Sequence, residues 1–359
     1  MTMLAIFALL LAAPGGFETG VVQRSTNDPF YQNAIPSIAR LNGGKLLCVW
    51  TCSGKQDKKM RIVGSLSSDG GRTWSNARTL IDTPGKNDAD PVLLVAGSKV
   101  WVYSATVNIP DKLDRSAVFM VSSEDQGAHW STPRPIHFPR KYTGAMVNNG
   151  LRVRDGTLLL PFAWDRWAEQ GMAASTEGEM DLGCGVLLSR DGVNWTQHGD
   201  LHIWEPKVTP GSTNGLAEPA VVELKNGELL MIMRTGSSHH WQSRSRDGGI
   251  TWDAPRASPL TGHNTPTALW RLDNPDTEII AIWNNSPLHR YPLSVAISKD
   301  GGRTWSRPKN VATSEGPHVS YPGIVQAGDG TFVAVWQQQL AEGGREIRWA
   351  RFTRDWVLK

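Results

Sequence analysis

Short apolar runs broken by polar turns organise this chain, and no long stretch carries apolar positions at the three-and-four spacing of an amphipathic helix. The local unit is strand, polar turn, strand. Gly156-Thr157-Leu158-Leu159-Leu160-Pro161 and Asn226-Gly227-Glu228-Leu229-Leu230-Met231 each set a turn ahead of a strand, and Lys45 to Trp50 reads as another strand. The pattern predicts an all-β chain.

One short motif punctuates these runs. Ser67, Asp69, Gly71, Thr73 and Trp74 spell S-x-D-x-G-x-T-W, which recurs over Ser245 to Trp252 and Ser298 to Trp305. A looser copy spans Ser123 to Trp130 with His129 at the Thr position, and a copy one residue shorter spans Ser189 to Trp195. Each copy reads as a hairpin turn, because an Asp side chain accepts hydrogen bonds from turn amides and Gly takes positive φ at little cost. The Trp that closes each copy is expected to pack between neighbouring sheets, burying about 150–250 Å² apiece. The aspartates Asp69, Asp125, Asp191, Asp247 and Asp300 are 56, 66, 56 and 53 residues apart, the length of one four-stranded propeller blade. After a leader of about twenty residues, that period fits about six antiparallel blades, the sixth without a motif of its own and with Ile347 to Trp356 as its expected remnant.

Composition agrees with one turn-rich β domain: 359 residues, 40% hydrophobic, with 36 Gly and 22 Pro. The formal charge is +3 and well mixed, so there is no basic stripe for nucleic acid, and the mild positive balance suits a small acidic ligand. The apolar run from Met1 to Ala13, followed by Pro14, resembles the core and exit of a secretory signal and is too short to span a bilayer. The expected organisation is a signal peptide over residues 1–20 and a single propeller over residues 21–359, a secreted or periplasmic monomer without stable membrane insertion. Cys48, Cys52 and Cys184 form no C-x-x-C pair, and buried free thiols are expected in preference to a Cys48–Cys52 disulfide. The adjacent His239 and His240 suit a surface loop, no metal-ligand spacing occurs, and no cofactor is implied.

The chemistry must come from charged residues that the blade pattern does not require. Glu218 stands at a strand entrance after a Gly/Ser/Asn loop, and Arg234 ends the following strand, so a hairpin would bring both to one propeller face. Arg290 falls in the loop that precedes the strand leading into the fifth motif, and Tyr321, in His318-Val319-Ser320-Tyr321-Pro322, stands at a strand entrance in the last blade.

With these motifs and this order of Glu218, Arg234, Arg290 and Tyr321, the chain resembles the sialidase (neuraminidase) superfamily, six-bladed propellers carrying such Asp boxes, over essentially its whole length. The resemblance implies that the boxes face away from the site and that a glycoconjugate carrying a terminal sialic acid is the substrate. It also implies that Arg234 and Arg290 are the second and third of three arginines that hold a carboxylate, a task suited to the planar guanidinium fork. Tyr321 matches the nucleophile and Glu218 its base, since a phenol of pKa about 10 attacks poorly until a carboxylate takes its proton, and sialidases are the tyrosine exception among retaining glycosidases. Asp57, in Ser53-Gly54-Lys55-Gln56-Asp57-Lys58-Lys59, matches the acid/base, although neighbouring lysines would lower its pKa. Asp88 and Asp90, at a second-blade strand entrance, are its rivals, and Asp90 is also taken as substrate-binding.

One position departs from the pattern. The family's first arginine lies in an Arg-Ile-Pro motif, and this chain has Ala34-Ile35-Pro36. Arg40 is six residues on, about 20 Å at ~3.3 Å per residue, and should point to the wrong end of the propeller, which leaves Arg24 as the residue that could reach back. Three readings therefore stand: an exo-α-sialidase-like retaining hydrolase, a propeller glycosidase acting on another sugar, and a non-catalytic carbohydrate-binding propeller.

Overall fold

In the computed structural model, residues 16–107, 117–140, 148–170, 180–313 and 318–359 are described, and residues 1–15, with the apolar leader, lie outside them. The described residues build six β-sheets around one axis. Strand β1 (Phe17–Gln23) leads into blade I, formed by β2 (Gln32–Arg40), β3 (Leu46–Ser53), β4 (Arg61–Ser67) and β5 (Arg78–Ile81). Blade II contains β6 (Asn87–Ala96), β7 (Lys99–Val107), β8 (Ala117–Ser123) and β9 (Arg134–Ile136), and blade III contains β10 (Leu151–Arg152), β11 (Leu158–Asp165), β12 (Asp181–Ser189) and β13 (Thr196–Leu201). A short β14 (Asn214–Gly215) runs parallel to β12, and a single helical turn, α1 (Arg166–Glu169), follows β11. Blade IV is β15 (Ala217–Glu223), β16 (Leu229–Arg234), β17 (His239–Ser245) and β18 (Arg256–Thr261), and blade V is β19 (Ala268–Arg271), β20 (Ile279–Asn284), β21 (Leu293–Ser298) and β22 (Lys309–Ala312). Blade VI is β23 (Val319–Gln326), β24 (Phe332–Gln339) and β25 (Arg345–Phe352), completed by β1 from the other end of the chain. The expected all-β propeller of antiparallel blades is what forms.

Closure corrects one expectation. Phe17 pairs with Phe352 and Gly20 with Trp349, so Phe17–Gly20 pair within the sixth blade. Ile347 to Trp356 is no box remnant: β25 runs straight to Phe352 and ends in α2 (Arg354–Leu358), capped by Thr353 through Trp356 N–H at 3.1 Å. Blade VI needs no third-to-fourth-strand turn because its fourth strand arrives from elsewhere in the chain.

Each box links the third and fourth strands of its blade. In the first, Ser67 Oγ donates to Asp69 Oδ1 (2.9 Å) and accepts from Gly71 N–H (2.8 Å), while Thr73 donates to Asp69 through its amide (2.9 Å) and hydroxyl (2.6 Å). The variant copies keep this circuit by other means. His129 Nδ1 lies 2.6 Å from Asp125 Oδ2, and Asn194 Nδ2 donates to Asp191 Oδ2 at 2.7 Å. The box tryptophans pack as expected, Trp74 against the cluster shared by blades I and VI and Trp305 against that shared by blades IV and V. Between blades the second strands add bulk near their upper ends, with Trp50, Trp164, Trp283 and Trp336 all buried.

At that upper end the innermost strands are bent. Ile35, Asp90, Glu218 and Tyr321 have φ of 53°, 54°, 44° and 54°, each followed by proline, and each sits at a break in ladder register. Asn264, two residues before Pro266, is similar at φ 53°. A residue before proline prefers extended backbone, so holding these side chains in the left-handed region costs about 1–3 kcal/mol each. All five residues lie at the end of the axis opposite the boxes.

The cysteines are all free and buried, and burial pushes the Cys52 thiol up to about 12. The two histidines expected in a loop are instead in β17, where alternation sends His239 outward and buries His240.

Candidate active site

Glu218 and Arg234 meet as the hairpin predicts. Arg234 ends β16 with Ala217 as its register partner, and its Nη1 lies 2.8 Å from Glu218 Oε1, both side chains buried. Tyr321, carried from blade VI by its own bulge, donates from its hydroxyl to the same Oε1 at 3.3 Å, and Arg234 Nη1 donates to the Tyr321 oxygen at 3.5 Å. Asn264 Oδ1 fixes the guanidinium from the far side, accepting from Nε at 3.1 Å and Nη2 at 2.7 Å. Asn148 Nδ2 holds the Glu218 bulge by donating to the carbonyls of Glu218 (3.2 Å) and Pro219 (3.1 Å). Glu218 Oε2 is buried with no hydrogen-bond partner among the described residues. A phenol from blade VI thus meets a buried carboxylate and a guanidinium from blade IV.

Arg290, in the loop between β20 and β21, lies over the Tyr321 ring at 5.5 Å and donates from Nη2 to the Asn264 carbonyl at 2.8 Å. His318, just ahead of β23, is held neutral: its own burial, then Arg290 and Arg345, push its pKa down to about 4. Burial, and to a smaller extent Arg234 and Arg290, also lower the pKa of His263.

The remaining expected residues are less closely gathered. Arg24 has a side chain 75% exposed, its described anionic neighbour being Glu346 at 4.0 Å. Ala34 is buried, with Thr51 opposite it in register. Arg40 does face the other end, paired with Asp273. Asp57 lies on the upper loop between β3 and β4, paired with Arg61 at 2.8 Å, and that hydrogen bond, with one from the Lys59 amide, holds its pKa below the usual carboxylate range. Asp88 is buried and bound by Thr83 through amide (2.7 Å) and hydroxyl (2.8 Å), which fits it to brace a loop. Its pKa is raised, mainly by burial. Asp90 is buried on the blade II bulge, at the same level as Glu218 and Tyr321.

A cavity of about 680 Å³ runs along the axis below the bulges, lined by Ser37, Asn149, Val221 and Ile324 among others. None of Glu218, Arg234, Arg290 or Tyr321 lines it, so this cavity is separate from the contact of Glu218 with Tyr321. Among the described residues no cluster of His, Cys, Asp and Glu could hold a metal ion.

Two of these participants carry little sequence signal. Asn264 could have been found from the Asn-x-Pro that echoes the residue-before-proline bulges of the other blades, whereas Arg345 sits beside a Gly-Gly turn that resembles any hairpin.

Sheet order and boxes together define a six-bladed Asp-box propeller. Residues 43–334 match the model of the BNR repeat-like domain, and the chain belongs to that family. A Bacteroides fragilis sialidase is 24% identical over 348 residues, covering 86% of this chain and 60% of the relative, so the chain spans less than two thirds of its length. Among solved structures, the Hadza microbial sialidase Hz136 superposes with a TM-score of 0.74 at 17% identity over 94% of this chain and 69% of that one. A Dyadobacter fermentans protein of unknown function gives 0.71 at 19% identity, covering 95% and 99% of the two chains. Trypanosoma rangeli sialidase in complex with sialic acid gives 0.73 at 14% identity, over 94% of this chain and 59% of that one.

Proposed function

We propose that this protein is a secreted or periplasmic retaining glycoside hydrolase that releases terminal sialic acid, or a closely related acidic sugar, from glycoconjugates. The observation that carries the reading is the contact of Tyr321 hydroxyl and Glu218 carboxylate at 3.3 Å beneath two arginines. A binding module has no use for a buried carboxylate aimed at a phenol.

In this reading Glu218 takes the phenol proton as Tyr321 oxygen bonds to the anomeric carbon. The glycosidic C–O bond breaks, and its leaving oxygen takes a proton from Asp57. Water then gives a proton to the Asp57 carboxylate and attacks the anomeric carbon, and Tyr321 leaves and recovers its proton from Glu218. A neutral nucleophile avoids repulsion by an anionic substrate, whose carboxylate Arg234 and Arg290 would hold with charge-assisted bonds worth about 1.5–3 kcal/mol each. Asp90 would contact the ring from blade II.

The test is fluorophore release from an aryl α-sialoside beside neutral and uronic aryl glycosides. Tyr321→Phe should lower sialoside turnover by about 10²–10⁴-fold with an unchanged melting temperature. Turnover of another glycoside alone would instead favour a propeller glycosidase of different substrate. Silence on the whole panel would favour a carbohydrate-binding propeller.

A further inference from the structure

Arg345 opens β25, and its backbone is pinned where blades I and VI meet. Its amide donates to the Tyr31 carbonyl at 3.0 Å, and its carbonyl accepts from Asn33 Nδ2 at 2.9 Å. The side chain is part-buried, and its Nε donates to Gln339 Oε1 at 2.9 Å. That partner is neutral. Nη1 and Nη2 meet no acceptor among the described residues, and no carboxylate pairs with this guanidinium, whereas Arg348 on the same strand has Glu346 Oε2 at 3.2 Å.

A guanidinium withdrawn from water without a counter-ion is costly unless an anion arrives. Arg345 is withdrawn in this way: burial lowers its pKa first, the Arg290 charge adds to the cost, and Tyr321 offsets part of it. The backbone locates it: Gln339, its register partner, donates its amide to the His318 carbonyl at 3.1 Å, and the Val319 amide donates to the Arg290 carbonyl at 3.0 Å, so the start of β25 lies beside the segment that carries Tyr321 and the loop that carries Arg290. Arg290 likewise pairs with no carboxylate among the described residues, its donated bond going to a backbone carbonyl. Neutral His318, with Ser320 Oγ 3.3 Å from its Nδ1, adds no competing charge.

We infer that Arg345 is the third guanidinium of an anion pocket above Tyr321, taking the substrate carboxylate together with Arg234 and Arg290 from a strand that does not include position 34. The inference rests on the reading that the site accepts an acidic sugar. A fork reaching the carboxylate from β25 makes an arginine at Ala34 unnecessary and accounts for the exposure of Arg24.

Calorimetric titration with 2-deoxy-2,3-didehydro-N-acetylneuraminic acid and with its carboxamide separates the two claims. Wild type should bind the acid in preference to the amide. Arg345→Gln should bind the acid about 10- to 100-fold more weakly and the amide almost unchanged, and Arg345→Lys, which keeps the charge and loses the fork, should fall between. Melting curves check that both variants fold. If Arg345→Gln and Arg345→Lys match wild type on the acid while Arg290→Gln loses it, the role of Arg345 is overturned and the acidic-sugar reading stands. If wild type binds neither compound, both fall together.

Discussion

Asp57 can serve as an acid only while it holds a proton, and Arg61 works against that. The ion pair at 2.8 Å and the Lys59 amide stabilise the carboxylate, so the proton is surrendered at lower pH than from an ordinary aspartate. A lowered pKa places the alkaline limb of the kcat/KM profile at low pH. Arg61→Gln removes the main cause, and the limb should move to higher pH, measured from initial rates on an aryl α-sialoside. A limb that stays in place would take the acid role away from Asp57. At this scale the sequence was informative where a residue departed from its neighbours' pattern. Glu218, Tyr321 and Asp90 precede proline at strand entrances, and the structure gives all three the same bulge. Arg345 was not legible, because its role depends on which strands flank it, and a strand's neighbours across a closed ring leave no local trace. His239 and His240 were misread for a related reason: adjacency means a loop only if the backbone is not extended, and in a strand it means one residue out and one in.

The boxes act as hydrogen-bonded clasps on one rim, and their aspartates make the clasps sensitive to acid. For Asp247, partial burial pushes the pKa up, but bonds from the Thr251 hydroxyl and amide and from Ser245 outweigh it and hold the carboxyl at about 2; Asp300 behaves alike, also at about 2. A carboxyl held below its unfolded value stabilises the fold above about pH 4, and that contribution disappears as pH falls through about 2. Wild type should therefore lose melting temperature steadily between these limits. The double variant Asp247→Asn, Asp300→Asn should start lower at pH 5 and follow a flatter curve. A flat wild-type curve would mean that the box carboxylates add no net stability. The box elements were readable in advance because each is a local circuit, complete within eight residues, whose Thr can be exchanged for His129 or Asn194 without loss of the bond to aspartate.

The ring as a whole closes through one strand, which no local signal announces. Thr19 Oγ1 donates to the Trp349 carbonyl across 330 residues of chain, and Glu18 pairs with Arg72 of the first box at 3.0 Å. Phe17 stacks on Trp356 with ring centroids 4.7 Å apart. Box spacing could count the blades, since the count depends only on period, but it could not say which end supplies the missing strand. Closure matters to the site as well as to stability: blade VI carries Tyr321 and Arg345, while their partners Glu218, Arg234 and Arg290 lie on blades IV and V. A chain beginning at Arg24 should therefore melt below one beginning at Gly16. Phe17 is partly buried, so its packing is worth less than the roughly 1.5–3 kcal/mol of a fully buried side chain, and each kcal/mol is on the order of 2 °C in a chain of this size. On the proposed mechanism turnover should fall as well at a temperature where both chains are folded, because an open ring lets Tyr321 drift from Glu218. Equal melting temperatures would show that blade VI holds with three strands, and equal turnover would show that the arrangement around Tyr321 does not depend on the closing strand.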